Sequence, residues 1–281
     1  MTEEAVTEEV VLSDTKDFIC TVTINRPDKR NALTTEVMYR LGDAMAAASD
    51  DGEVRVVVLR GAGEKAFCAG LDLRGGIQVT EGEKMQKGDP LEYARGNIMK
   101  CTKPVIAMIY RNALGAGCDL ATACDMRVAS DTARMGINPV KLSGVYWPQA
   151  IQNMINVVGL AWAKELFLTG RFIDAQTAKE IGLLNYVVPE EELSTKAYAL
   201  AQEIAENGPL AVSATKVIFN KLLKYQEISA EVIAEIHAMR DSVSASEDFK
   251  EGMLAFMQKR KADSRASEFA RGTTRAGPCL N

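Results

Sequence analysis

Two short runs of small residues stand where backbone amides could be left free to meet a developing negative charge. One is Ala66-Phe67-Cys68-Ala69-Gly70-Leu71-Asp72-Leu73; the other is Asn112-Ala113-Leu114-Gly115-Ala116-Gly117-Cys118-Asp119-Leu120. Each follows a buried strand or its loop. Small side chains at a strand-to-helix turn expose N–H groups, and the helix N-terminus adds its positive end. Two such turns facing each other offer two donors to one oxyanion; taken singly, either is equally a device for close packing. A nucleotide-phosphate loop is a poor reading of these glycines, because there is no G-x-x-x-x-G-K-[ST] and no complete G-x-G-x-x-G. Asp119 opens the helix after the second turn, where a carboxylate complements the helix dipole whatever else it does.

The remaining chemistry-bearing residues are few. Among 281 residues there is one histidine, so a His-rich metal site is excluded, and a Ser-His-Asp triad would depend on His237 alone. That histidine sits in a helical pattern well after the small-residue turns and reads as structural. The six cysteines (Cys20, Cys68, Cys101, Cys118, Cys124, Cys279) form no C-x-x-C pair and are expected to be reduced, buried thiols. Cys68 and Cys118 flank the turns, but neither has a His or Lys activator nearby in sequence. A net charge of −5 argues against binding nucleic acid through bulk charge. The tail from Lys259 is locally basic, with six Lys or Arg against two acidic residues, and reads as a solvated end or an anion contact. The acidic start MTEEAVTEEVV fits neither a secretory nor a mitochondrial leader. No apolar run approaches the ~20 residues needed to span a bilayer. A soluble, cytoplasmic protein is the expectation.

Strands and helices must hold these turns in place. Phe18–Asn25 alternates β-branched residues and predicts a strand, RPDKRNAL turns the chain, and Asn31 or Thr34 could cap a helix from about 35 to 49. Val54–Arg60 and Pro104–Tyr110 read as buried strands, 118–123 as a short helix, and Met126–Ala129 as another strand. This β–helix–β order with near-continuous Val, Leu and Ile predicts an α/β fold. Residues 74–95 are polar, lack periodicity and read as a mobile surface excursion that could shape a pocket. From Trp147 helices dominate (about 148–157, 160–168, 174–181, 190–206, 209–224, 228–243 and 246–260), interrupted by a small strand at 183–188. No linker marks the shift near residue 190. The expectation is a core over 1–190 and a helical region over 191–281 packed on it.

The segments INRPDKRNAL (24–33), VVVLRGAGEKAFCAGLDL (56–73), NALGAGCDLATACDMRVAS (112–130) and LFLTGRFIDAQTAKEIGLLNYVV (166–188) resemble the crotonase superfamily, which includes the enoyl-CoA hydratases and isomerases. The match runs in order from about residue 11 to 261. It implies a spiral core of repeated ββα units and C-terminal helices that build a trimer or a dimer of trimers. It also implies a coenzyme A thioester as substrate and no separate cofactor; the composition already argues against a metal, nucleic-acid or membrane partner. The thioester oxygen would lie between two backbone N–H groups, which fall by position on Leu71 and Ala116. Lys29 and Arg30 resemble the family's region near the CoA phosphates, and Ala32 and Ala69 its adenine contacts; Asp72 joins this set.

Enoyl-CoA hydratases use two carboxylates, one in a G-G-G-C-E-L motif and one in a G-x-P-E motif twenty residues on, because water must lose a proton while the α-carbon gains one. Here the first position is Asp119 and the second is Pro139, which cannot ionise. The resemblance thus implies Asp119 as the main acid/base of hydratase or isomerase-type chemistry. A conjugated dienoyl thioester is a candidate substrate, since delocalisation lowers the demand for a second acid. The stretch Asn138-Pro139-Val140-Lys141-Leu142 through Tyr146 also resembles the methylmalonyl-CoA decarboxylase branch, in which a Tyr is functional. Against it, that branch has His where this chain has Leu71. Decarboxylation or C–C hydrolysis with Tyr146 is therefore the alternative, and a non-catalytic CoA-ester-binding homologue is the alternative of another class.

Overall fold

A computed structural model describes residues 9–72, 87–142 and 146–224, with isolated positions between 238 and 260. His237, the basic tail apart from Arg260, and residues 73–86 of the polar segment lie outside the described residues. The framework is a six-stranded sheet ordered β1 (Val11–Lys16), β2 (Ile19–Ile24), β3 (Val56–Gly61), β4 (Val105–Ile109), β6 (Met126–Ser130) and β9 (Tyr186–Val188). All neighbours run parallel except the β1–β2 hairpin at the edge. β4 is buried along its whole length and β3 is buried everywhere but Arg60. That pattern explains their unbroken Val/Ile/Leu character, for a parallel sheet is covered on both faces.

The two faces are covered by different elements. On one, α1 (Thr35–Asp50) presents Val37, Met38, Leu41 and Met45 to the main core. On the other, α6 (Leu193–Ala205) lays Leu193, Ala197, Leu200 and Ala201 over Val56, Val58, Ile106, Met108 and Val128. A further helix, α7 (Pro209–Lys224), is pinned to the body by Lys216, whose ammonium pairs with Asp125 at 2.6 Å.

A second, three-stranded sheet is built from β5 (Asn112–Leu114), β7 (Arg134–Gly136) and β8 (Ile173–Asp174). β4 and β6 are each followed by a short strand of this sheet and then by a helix or turn. β4 leads to β5 and to α3 (Ala116–Ala123); β6 leads to β7 and to a 3₁₀ turn at Pro139–Leu142. These are the ββα repeats that the family resemblance implies. The chain continues through α4 (Pro148–Thr169), broken at Gly159, and α5 (Ala175–Glu180). No helix among the described residues is long and apolar enough to cross a membrane.

Several elements differ from the sequence reading. β1, β5, β7 and β8 are additional strands; the last three have two or three residues each, too few for a period-2 pattern. The segment expected to be irregular through residue 95 is helical from Pro90: α2 spans Pro90–Lys100. Its start follows a local rule, with Asp89 Oδ1 accepting the Glu92 N–H at 2.9 Å and Pro90 in the first turn. The strand expected over 183–188 is confined to 186–188, and the helix expected from 190 begins with a 3₁₀ turn at Glu190–Glu192. Of the two candidate caps for α1, Thr34 accepts the Val37 N–H at 3.3 Å, whereas Asn31 is fully buried and donates to the carbonyls of Ala62 (3.1 Å) and Ala66 (2.8 Å). Asn31 thus ties the turn after β2 to the turn after β3.

Candidate active site

The two small-residue turns are in contact. Cys68 bridges Ala113 of β5, with the Cys68 N–H donating to Asn112 O and the Leu114 N–H donating to Cys68 O, both at 3.0 Å. This brings α3 so near the first turn that a Cβ on Gly117 would stand 2.4 Å from Cys68 O. Only glycine fits there. Gly70 has φ +98°, and a Cβ on it would lie 2.9 Å from Leu114 O and 3.7 Å from the Ala116 nitrogen. The Ala69-Gly70-Leu71 and Leu114-Gly115-Ala116 backbones therefore run side by side.

Local hydrogen bonding leaves the two expected donors available. Leu33 N–H donates to Gly70 O, and Asp72 N–H donates to Leu33 O, each at 2.8 Å. Extended backbone alternates its amide directions, so the Leu71 N–H between them points to the opposite side. Ala116 is the first residue of α3, where helix geometry supplies no acceptor for the N–H. Among the described residues neither N–H has a backbone acceptor.

Three residues later Asp119 is 1% exposed. Arg95 Nη1 donates to Asp119 Oδ2 at 3.1 Å, and Tyr146 Oη donates to the same oxygen at 3.2 Å. Burial raises the Asp119 carboxyl to about 6; Arg95 and then Tyr146 oppose that rise, and the Glu92 charge adds to it slightly. Tyr146 is itself buried, edge-on to Trp147 (5.1 Å between centroids) and tilted against Phe167 (5.8 Å), so burial and the Asp119 charge push its phenol up. It meets Asp119 as a protonated donor. Pro139 opens the 3₁₀ turn after β7, and Asn138 beside it reaches the second small-residue turn, with Oδ1 at 3.7 Å from where a Gly115 Cβ would stand. Glu92 is a second carboxylate attached to this network, through Arg95 Nη2 at 3.5 Å.

The proposed CoA residues line a different stretch. Lys29 and Arg30 are exposed on and just after the 3₁₀ turn Pro27–Lys29. Arg30 O accepts the Ala69 N–H at 3.0 Å, which places Ala32 and Ala69 on adjoining, half-buried backbone next to the first turn. Asp72 is ion-paired with Arg26 at 3.0 Å, and Arg26 Nη1 also donates to Ala32 O at 2.6 Å. Asp72 thus braces this loop. The cysteines Cys68, Cys118 and Cys124 are buried, and burial pushes each thiol up to about 12. They are unsuited to nucleophilic work.

Arg95 is the residue that reading along the chain misses. A signal was present: Leu91, Ala94, Arg95 and Ile98 fall at helical spacing on one buried face, and the arginine interrupts an otherwise apolar stripe. Its partner Asp119 lies 24 residues away, which no local pattern reveals.

Comparison with known proteins agrees along nearly the whole chain. The family model for enoyl-CoA hydratase/isomerase matches residues 14–266. The short-chain-enoyl-CoA hydratase of Clostridium acetobutylicum is 35% identical over 255 residues, covering 90% of this chain and 96% of that protein. The crotonyl-CoA hydratase of Syntrophomonas wolfei is 34% identical, covering 91% and 97%. Among solved structures, an enoyl-CoA hydratase/carnithine racemase from Magnetospirillum magneticum matches with a TM-score of 0.84 at 31% identity, covering 93% of this chain and 97% of that one.

Proposed function

Because the chain belongs to the enoyl-CoA hydratase/isomerase family, we propose that it hydrates the α,β double bond of an enoyl-CoA or dienoyl-CoA thioester with Asp119 as its single acid/base. The observation that carries this reading is a buried carboxylate one helical turn from two adjoining backbone donors.

The reaction follows from that arrangement. The thioester oxygen accepts from the Leu71 and Ala116 N–H groups. Ionised Asp119 takes a proton from water as the water oxygen bonds to the β-carbon, and the π electrons move to form an enolate whose charge rests on the thioester oxygen. Asp119 then returns the proton to the α-carbon, so atoms and charge balance with one group acting first as base and then as acid. Pro139 removes the second ionisable group from the reaction, and the same proton cycle run without water would move a double bond. Removing one oxyanion donor typically costs ~10²–10³ in rate. Lys29 and Arg30 supply cationic charge for the CoA phosphates, with Ala32 and Ala69 offering backbone to the adenine.

Incubating the purified protein with crotonyl-, dienoyl-, methylmalonyl- and β-ketoacyl-CoA, and following products by mass, tests the reading. A gain of one water on an enoyl or dienoyl thioester is expected. Release of carbon dioxide that requires Tyr146 would assign the alternative decarboxylase chemistry. Binding of CoA esters without turnover of any would refute an enzyme.

A further inference from the structure

Arg95 occupies a position on α2 where packing alone calls for an apolar side chain. Its neighbours on that face are Leu91, Ala94 and Ile98, and its side chain is 3% exposed. Burying a guanidinium costs several kcal/mol unless a partner compensates it. Asp119 is that partner, at 3.1 Å and 1% exposed, and neither charge is tolerable there without the other.

We propose that Arg95 is the positioning residue of the acid/base: its guanidinium holds Asp119 through Oδ2, fixing both the direction and the charged state of a carboxylate that has no second carboxylate to share its work. The proposal rests on reading Asp119 as the acid/base. Arg95 and Tyr146 donate to one and the same oxygen, so Oδ2 is held from two directions; on the proposed reading this leaves Oδ1 to work on the acyl chain. Among the described residues the charged and titratable groups around Asp119 are few. From α2 they are Arg95 and Glu92, from the stretch before α4 Tyr146, and on its own helix Cys118. β5 contributes none, and α4 has none before Lys164. Arg95 is the sole cation of this set, while burial pushes the carboxyl toward its neutral form. A neutral Asp119 could not take a proton from water.

The test is the pH dependence of kcat and kcat/KM, on whichever thioester is turned over, for wild type, Arg95→Met, Arg95→Lys and Glu92→Gln. Arg95→Met is expected to move the acid limb upward by about one pH unit or more, with KM changed less than about threefold. Arg95→Lys should return the limb most of the way. Glu92→Gln, half-exposed and tolerant of change, should move it the other way, because a negative charge beside the pair is lost. If Arg95→Met does not fold, the opposed shifts of Arg95→Lys and Glu92→Gln carry the test. Acid limbs that coincide with wild type in these variants, with Asp119→Asn inactive, would overturn the role of Arg95 alone. Full activity of Asp119→Asn would instead overturn the reading of Asp119 itself.

Discussion

At the Asp119 carboxylate two opposing effects meet. Removal from water favours the neutral acid, while Arg95 and the Tyr146 hydroxyl favour the anion. Burial prevails in part, and the group is poised at about 6 instead of the ordinary carboxylate range near 4. The consequence for activity has a definite sign. A raised value means that the carboxylate takes up its proton earlier as the pH falls, so a reaction that begins with Asp119 as base loses rate through pH 6. A kcat/KM profile should show an acid limb centred near 6, flat toward pH 8; a limb near 4 would mean that the titrating base is a solvated carboxylate elsewhere. Asp119, Leu71 and Ala116 could be proposed from the chain because each sits inside a local motif. Arg95 was not, because its role exists only once α2 is laid against α3 and 24 residues of separation are closed.

At the scale of elements, close backbone approach takes the place of side-chain chemistry. β5 and the turn after β3 share a bridge, and α3 begins one residue beyond β5, so the two donors are fixed by strand pairing and helix geometry together. Gly117 is the contact that allows it, with Cys68 O at 2.4 Å and Cys68 Cβ at 2.7 Å from an added Cβ. Gly117→Ala must push α3 away from the first turn. We expect a stability loss of about 1–3 kcal/mol by overpacking, and a fall in kcat of ~10-fold or more from a misplaced donor. Thermal unfolding and steady-state kinetics on the same preparation check both, and an unaltered kcat would show that donor spacing does not depend on this contact. α3 is also held at its far end. Arg127 is 5% exposed and donates to the carbonyls of Cys124 (2.6 Å), Ala121 (3.3 Å) and Leu183 (2.7 Å), a cation seated on the negative end of the helix. β3 and β4 were legible as runs of Val, Leu and Ile; β1, exposed along nearly its whole length, and β5, β7 and β8, of two or three residues each, were not. α2 was hidden by its polar surroundings although Asp89-Pro90 marked its start.

Among the described residues the cysteines and Asp119 are kept out of solvent, and on the proposed reading the chemistry falls to backbone donors and that one carboxylate. Five cysteines are free and buried within the described residues, and Cys279 lies outside them. Cys68, Cys118 and Cys124 carry thiols pushed to about 12 by burial, so almost none of each is thiolate at pH 8. Native protein treated with a thiol reagent at pH 8 should leave Cys20, Cys68, Cys101, Cys118 and Cys124 unmodified, and denaturant should expose them. Rapid native labelling of Cys68 or Cys118, located by peptide mass, would contradict the packing of the two turns. The α/β class and the family resemblance were legible because several motifs occur in one order along the chain. The network behind Asp119 was not legible, because it joins α2, α3 and the stretch before α4 only in three dimensions. Crotonyl-CoA incubated in heavy water with wild-type protein should gain one water and one deuterium on the α-carbon, and Asp119→Asn should form that product ~10²-fold or more slowly with KM little changed. Equal rates of the same deuterated product from both proteins would contradict Asp119 as the acid/base.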